Sequence, residues 1–425
     1  MARNKRGALP GRIGLGVGSA LGLLVIVLAV RALDTEDRPR GHPALEVRVD
    51  RDRAAEVLAQ YVRWDSSALR GIPRDPRPSH LDLLIERYAD PLGLEHRVLD
   101  GRTLLLVWRA GDDREARPLL LLSHSDVVPV APNELDAWTH PPFDGVVDEG
   151  FVWGRGTIDD KGSTIAQLEA IAAMQAAGLT PHRNIVLLIS PDEEIGGEGG
   201  AGSVLANDIE RLEDPWAVLD EGSFVAPDFI PGTTLVPVAV AEKRDVTITL
   251  TVVGEAGHSS MPRENGAPRV LSVALGRLAE LEFPSRILPA TDAFLDRFAD
   301  SAPFHERLAL KNRWLMGPFV ERALAGRPAG NAMIRDTLAL TLLNAGITAN
   351  VVPARASATV NLRLLPGSDL PGVLRRVEGA LDDPRVSVEV IRDDGASPAA
   401  PIDGEEWARL EAALASAYPD NDALI

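Results

Sequence analysis

The chain has no cysteine among its 425 residues. That excludes disulfides and every form of thiolate chemistry, nucleophilic, redox or metal-binding. It also lacks any basic excess: 44 Lys and Arg stand against 62 Asp and Glu, a formal charge of −18. Nucleic acid is thereby excluded as a main partner, because phosphate backbones are held by basic patches. There is no G-x-S-x-G nucleophile elbow, no repeat of fixed period and no low-complexity tract. The Gly-rich stretch Gly154 to Gly162 fails as a phosphate loop, since it reads Lys161-Gly162 and the GxxxxGK[ST] spacing is not met.

What remains is ordinary globular composition, 45% hydrophobic and 25% charged. The length exceeds what one compact core serves, so two domains are expected. Eight His and many carboxylates suit a hard or borderline cation such as zinc.

The N-terminus carries Arg3, Lys5, Arg6 and Arg12 ahead of an uncharged apolar run from Ile13 to Val30, which Arg31 ends. Positive charge followed by such a run is the export pattern, short for a membrane span and slightly long for a signal-peptide core. Residues 1–33 are read as a signal peptide or membrane anchor, and the protein as exported, either membrane-anchored or secreted/periplasmic. Residues 34–49 follow as a linker.

From about residue 50, short apolar runs alternate with helical patterns. The runs are Thr103–Trp108, Leu119–Leu122, Ile185–Ile189 and Ala217–Leu219, with helices expected at 54–64, 81–92, 163–177 and 202–212. That alternation implies an α/β layer with a largely buried sheet. Near residue 240 the character changes. Val246, Ile248, Leu250 and Val252 alternate with Thr247, Thr249 and Thr251, the signature of a strand with one covered face. A helix pattern (267–281), strands (337–343, 356–364), a helix (370–381) and a strand (386–391) complete β-α-β-β-α-β, the split arrangement of ferredoxin-like domains. Residues 283–335, bearing Phe294, Phe298, Phe304, Trp314 and Phe319, read as a helical insertion.

Four polar clusters sit at the ends of apolar runs or in a Gly-rich loop: Ser123-His124-Ser125-Asp126, Asp159-Asp160-Lys161-Gly162, Asp192-Glu193-Glu194 and Asp220-Glu221-Gly222. The carboxyl ends of strands in an α/β sheet open onto a common crevice. Gathered there without cations, the carboxylates would raise one another's pKa. A bound metal is the natural remedy, and imidazole plus carboxylate is a ligand set zinc accepts. Two zincs about 3.5–4 Å apart would need a bridging carboxylate and would share a nucleophilic water. Taken singly each cluster has a bland reading, a core histidine, a turn or a solvated acid pair; four together, each beside an apolar strand, favour a site.

The segments SHSDVVPV, GRGTIDDKG, SPDEEIGG, LDEGS, GEAGHSS and NVVPARASATVNLRLLPG resemble, in order, those of the zinc peptidase family that holds carboxypeptidase S, aminoacylase, carnosinase and peptidase T. LDEGS and the insertion make the carboxypeptidase S and secreted N-acyl amino acid hydrolase subgroup the nearest in pattern. The resemblance implies an α/β zinc-exopeptidase-like catalytic domain (50–240) with an inserted ferredoxin-like α+β lid (241–392), the chain returning to the catalytic domain over 393–425. It implies two zincs per complete protein, a peptide or N-acyl amino acid substrate, and a homodimer through the lid as a further expectation. His124, Asp159, Glu194 and Asp220 would be metal ligands, with Asp159 bridging, its bond to Asp160 cis, and Glu221 the substitute for Asp220. Asp126 would hold the imidazole of His124. Glu193 would be the general base, taking a proton from the zinc-bridging water and returning it to the leaving amine. His258 would stabilise the oxyanion, across a dimer or after closure. Asn350 and Arg363 would hold the substrate carboxylate, for which a planar guanidinium suits bidentate contact.

One departure stands out. The family's last zinc ligand is a His in a segment resembling T-D-S-R-H, whereas this sequence ends at Tyr418-Pro-Asp-Asn-Asp-Ala-Leu-Ile425. His42, His80, His96, His140, His182 and His305 have neither the motif nor the position to replace it. The expectation is a chain cut short. The competing reading is an inactive remnant that binds at most one metal.

Overall fold

The computed structural model describes residues 23–34, 47–67, 79–111, 116–207, 212, 214–230 and 233–418. The chain divides into two compact units, residues 43–222 and residues 223–425 together with 1–42. Helix α1 (residues 23–33) belongs with the second unit: Ala32 is fully buried, and the Leu28 carbonyl accepts a 3.1 Å hydrogen bond from Asn312 Nδ2. The rest of the N-terminal apolar run, residues 13–22, lies outside the described residues. Among the described residues no helix is long and apolar enough to cross a membrane.

The unit spanning 43–222 contains, in chain order, α2 (Arg51–Val62), α3 (Ser79–Leu84), β1 (Glu95–Leu99), β2 (Thr103–Trp108), β3 (Leu119–His124), β4 (Val146–Asp148), β5 (Phe151–Trp153), α4 (Lys161–Ala176), β6 (Ile185–Ser190), α5 (Ala201–Ala206) and β7 (Ala217–Leu219). Five strands form one sheet in the order β1-β2-β6-β3-β7. β3 runs parallel to both β6 and β7, while β1 and β2 are antiparallel additions. The continuous apolar runs follow from burial on both faces. Leu104, Leu106, Leu187 and Ile189 pack with α2, α3 and α4; Leu105, Val107, Val186 and Leu188 pack with Val204 and Leu212 on the other side. Asp50 starts α2 by accepting a hydrogen bond from Arg53 N. The helix is then tied to α4 by a bidentate ion pair of Arg53 with the buried Glu169, both contacts 2.7 Å.

The second unit continues with β8 (Ala226–Ile230), β9 (Thr233–Leu235), β10 (Arg244–Val253), β11 (Gly257–His258), α6 (Ala267–Leu278), α7 (Pro289–Ser301), α8 (Phe304–Lys311), α9 (Arg313–Ala325), α10 (Pro328–Ile334), β12 (Thr337–Ala345), β13 (Val351–Val352), β14 (Arg355–Leu364), α11 (Leu370–Leu381), β15 (Val386–Asp393) and α12 (Glu405–Ala417). Its main sheet is antiparallel in the order β12-β14-β10-β15. With α6 and α11 on one face this is the split βαβ arrangement. Alternation places Val246, Ile248, Leu250 and Val252 against Val360, Leu362, α6 and α11. Helices α7 to α10 form the insertion, with a small core of Leu295, Ala299, Leu310 and Val320. Helix α12 lies in this second unit, where Arg297 Nη2 on α7 meets its Glu411 Oε1 at 2.5 Å.

Candidate metal centre

Parallel pairing sets the site. His124 at the end of β3 lies opposite Ser190 at the end of β6, and Leu121 lies opposite Leu219, the last residue of β7. The residues that follow each strand therefore leave the sheet along one edge.

His124 is buried. Its Nδ1 lies 3.0 Å from the Asp126 carbonyl oxygen and 3.4 Å from Asp126 Oδ1. A carbonyl only accepts, so Nδ1 carries the proton, and the neutral ring turns the lone pair of Nε2 outward. What Nε2 meets is Asp159 Oδ1 at 3.0 Å, Glu221 Oε1 at 3.5 Å and Glu193 Oε2 at 3.9 Å. An acceptor faces acceptors, and only a proton or a cation placed between them satisfies the arrangement. With protons alone, burial pulls the imidazole pKa down, but the Asp126 and Glu221 carboxylates outweigh it and push it up to about 11.

The donors form two overlapping groups, His124 with Asp159 and Glu221, and His124 with Glu193 and Glu194. Within each group the ligand atoms lie within 4.8 Å of one another. One imidazole nitrogen and several carboxylate oxygens fit zinc or a similar divalent ion. The crowding also marks the acids. Burial pushes the Glu193 carboxyl up to about 7; the His124 cation opposes this, and Glu221, Glu194 and Asp126 add to it. Glu194 and Asp220 are raised as well, burial being the main cause for each.

Asp126 organises the centre from beneath. Fully buried, it accepts hydrogen bonds from the backbone N–H of Glu193 at Oδ1 and of Glu194 at Oδ2, each 3.1 Å. One residue thus orients the imidazole, chiefly through its carbonyl, and fixes the turn that carries both glutamates. The Asp159–Asp160 peptide is cis. Asp160 is buried, and its Oδ2 accepts from His124 N at 3.2 Å. Its Oδ1 has no hydrogen-bond partner among the described residues, and burial pushes its carboxyl up to about 7.

Of the expected ligands, His124, Asp159 and Glu194 come together. Asp220 does not: its Oδ1 accepts from Glu221 N at 2.9 Å, and the acid presented to His124 is Glu221. The reason is local, since the backbone leaves the sheet after Leu219 and the second of the two adjacent acids turns toward the ring. In the second unit His258 sits on β11, paired with Val351. Its Nδ1 accepts from Ser260 N at 3.2 Å and lies 2.7 Å from Ser260 Oγ, which leaves the proton of the neutral ring on the exposed Nε2. The carbonyl of Asn350 accepts from Ser259 N at 3.1 Å, so the two polar turns adjoin. Arg363 is exposed on β14, its Nη2 3.2 Å from Asp245 Oδ2 and its Nε 3.2 Å from Asn361 Oδ1. A residue to which sequence reasoning gives no role is Lys161, fully buried beside Asp159, although it stands within the Asp159-Asp160-Lys161-Gly162 cluster.

Residues 120–424 match the family described as "Peptidase family M20/M25/M40". The chain belongs to that family. It is 35% identical over 335 residues to the probable carboxypeptidase S-like 2 of Dictyostelium discoideum, covering 77% of this chain and 63% of the relative. To the N-fatty-acyl-amino acid synthase/hydrolase PM20D1 of Mus musculus it is 34% identical over 323 residues, 74% of this chain and 63% of the relative. The chain therefore spans 63% of the length of these two relatives. Among solved structures, human carnosine dipeptidase 1 superposes with a TM-score of 0.62 at 17% identity, covering 88% of this chain and 84% of that one, a likeness of fold.

Proposed function

We propose that this M20-family chain is a metal-dependent hydrolase of an amide bond next to a free carboxylate, a carboxypeptidase or N-acyl amino acid amidohydrolase. The observation that carries the proposal is the His124 Nε2 lone pair turned toward Asp159, Glu221 and Glu193, a set of acceptors that calls for a cation. Asp159 and Glu221 on one side and Glu194 on the other would hold zinc with His124. Bound zinc supplies a Lewis acid and water of lowered pKa. Glu193, with a carboxyl pKa near neutrality, accepts the proton of the attacking water and returns it to the nitrogen as the C–N bond breaks. The products are a carboxylic acid and an amine.

In the second unit, His258 offers an exposed Nε2–H suited to a developing oxyanion. Arg363 and Asn350 would take the substrate carboxylate, Arg363 exchanging its contact with Asp245 for it. The names of the two relatives divide between peptide and N-fatty-acyl substrates. Purified protein is assayed with and without chelation on N-fatty-acyl amino acids, on C-terminal peptides and on the α-amides of both. Chelator-sensitive release of a free amino acid from one class, absent for its α-amide, is the expected result. Cleavage that survives full removal of metal overturns the proposal. The basic N-terminus ahead of its uncharged run supports export, and fractionation of the native host, with the chain recovered only in cytosol, would refute it.

A further inference from the structure

Lys161 stands out as a charged group placed where solvent does not reach. It is fully buried, as is the ring of Tyr61. Its Nζ donates to the carbonyls of Trp64 at 2.7 Å and Tyr61 at 3.3 Å, and lies 5.1 Å from the centre of the Tyr61 ring. The Tyr61 carbonyl belongs to the last turn of α2, whose carbonyl end carries partial negative charge, and Trp64 lies two residues past the helix end at Val62. At its other end Lys161 opens α4, two residues after Asp159.

The loop it belongs to has no slack. An added Cβ on Gly156 would fall 2.7 Å from Val127 Cγ1, and one on Gly162 would fall 2.2 Å from the Thr157 carbonyl oxygen. Lys161 N donates to Gly156 O at 2.9 Å, closing the turn on itself. Within this closed loop Asp160 is tied to β3 through His124 N, and Lys161 is tied to α2. The two buried side chains that follow Asp159 therefore tether its loop to two different elements. A buried apolar side chain of similar length would fill the same space without the desolvation penalty of an ammonium. Such a side chain could not reach and hold two carbonyls.

We propose that Lys161 is a positioning residue for the metal centre: its buried ammonium fastens the Gly154–Gly162 loop to the end of α2 and so fixes the carboxylate of Asp159 beside His124. The inference rests on the metal reading above. It asks nothing of Lys161 in proton transfer.

The test compares the full-length chain with K161M, close in length and unable to donate, and K161Q, which keeps one donor arm. Cobalt(II) is the probe, titrated against a chromophoric chelator, and amide hydrogen exchange is followed in metal-free protein. K161M should still fold, because its side chain fills the same buried space, and its cobalt binding is compared in the folded state. It should bind cobalt about 10–100-fold more weakly, as expected when a group supporting a ligand is lost. Its peptides over 154–163 should exchange faster while those of α2 before residue 60 do not change. K161Q should fall between K161M and wild type, and it decides the matter if K161M does not fold. Unchanged exchange in the loop, or wild-type cobalt affinity in the folded variant, overturns the assignment of Lys161 and leaves the metal centre standing. A wild-type chain that takes up no cobalt overturns both.

Discussion

In the unit spanning residues 43–222 the chemistry-bearing groups crowd around one buried imidazole, and the crowding perturbs them: Glu193 and Asp160 are each pushed up to about 7 and His124 to about 11. In the second unit His258, Asn350 and Arg363 stand exposed on strands and turns, each already satisfied by a near neighbour. The first arrangement is electrostatically incomplete and calls for a cation. The second carries no such unmet charge, and there a substrate would either meet a free donor, as at His258, or displace an existing partner, as at Arg363. Perturbed groups in a cluster are functional-site candidates on physical grounds, whereas the exposed trio rests on motif and free donors alone. Substitutions in the two units should therefore fail in different ways.

The largest effect is expected at the base. Glu193→Gln should keep its metal and lose about 10²–10⁴-fold in kcat, because a carboxamide cannot accept the proton of water. Near-normal turnover would remove Glu193 from the mechanism. Next is His258→Ala, with a fall of about 10²–10³-fold in kcat and little change in KM, the mark of a contact made mainly in the transition state. A variant that lost metal instead would break the distinction between the units. Arg363→Ala should raise KM about 10–100-fold, in line with the loss of a charge-assisted hydrogen bond, and only for substrates with a free α-carboxylate. If the α-amides suffered equally, the carboxylate role would fail.

The last effect is one of pH on metal binding. Glu193 and Asp160 have carboxyl pKa values raised to about 7, so they take up protons as pH falls through that value, and negative charge is lost where a cation would bind. His124, raised to about 11, must release a proton to ligate throughout this range. The apparent metal affinity should thus weaken on acidification below about pH 7, by about tenfold per unit for each proton displaced. A titration that is flat from pH 8 to 5.5 would contradict this.

Much of the fold was legible because burial on two faces writes continuous apolar runs: Thr103–Trp108, buried throughout, coincides with β2. Strict alternation likewise placed β10, whose covered face is Val246 to Val252. Strands with little buried area left no such mark. β1, with its Glu95, His96 and Arg97 exposed, reads as polar loop, since an edge strand needs no apolar face. The hairpin of β4 and β5 turns on Glu149-Gly150, with φ of 51° and 83°, a primed-type turn without the Asn-Gly or Asp-Gly signal. At the site, residue types and their strand-end positions were visible, but orientation was not. Asp220 and Glu221 are adjacent on irregular backbone, where no periodicity says which turns inward. The grip of Asp126 on the amides of Glu193 and Glu194 spans 67 and 68 residues and leaves no local trace.

The account rests on the acids around His124 being a metal site, and a zinc titration of the full chain followed by isothermal calorimetry tests that claim most directly. Wild type should bind zinc and release protons on binding, because the imidazole and carboxyls must give theirs up. Asp159→Ala, which removes the carboxylate nearest Nε2, should lower both the stoichiometry and the proton release while the fold persists. Wild type that binds no zinc, or Asp159→Ala that binds it with the same stoichiometry and affinity, would contradict the account.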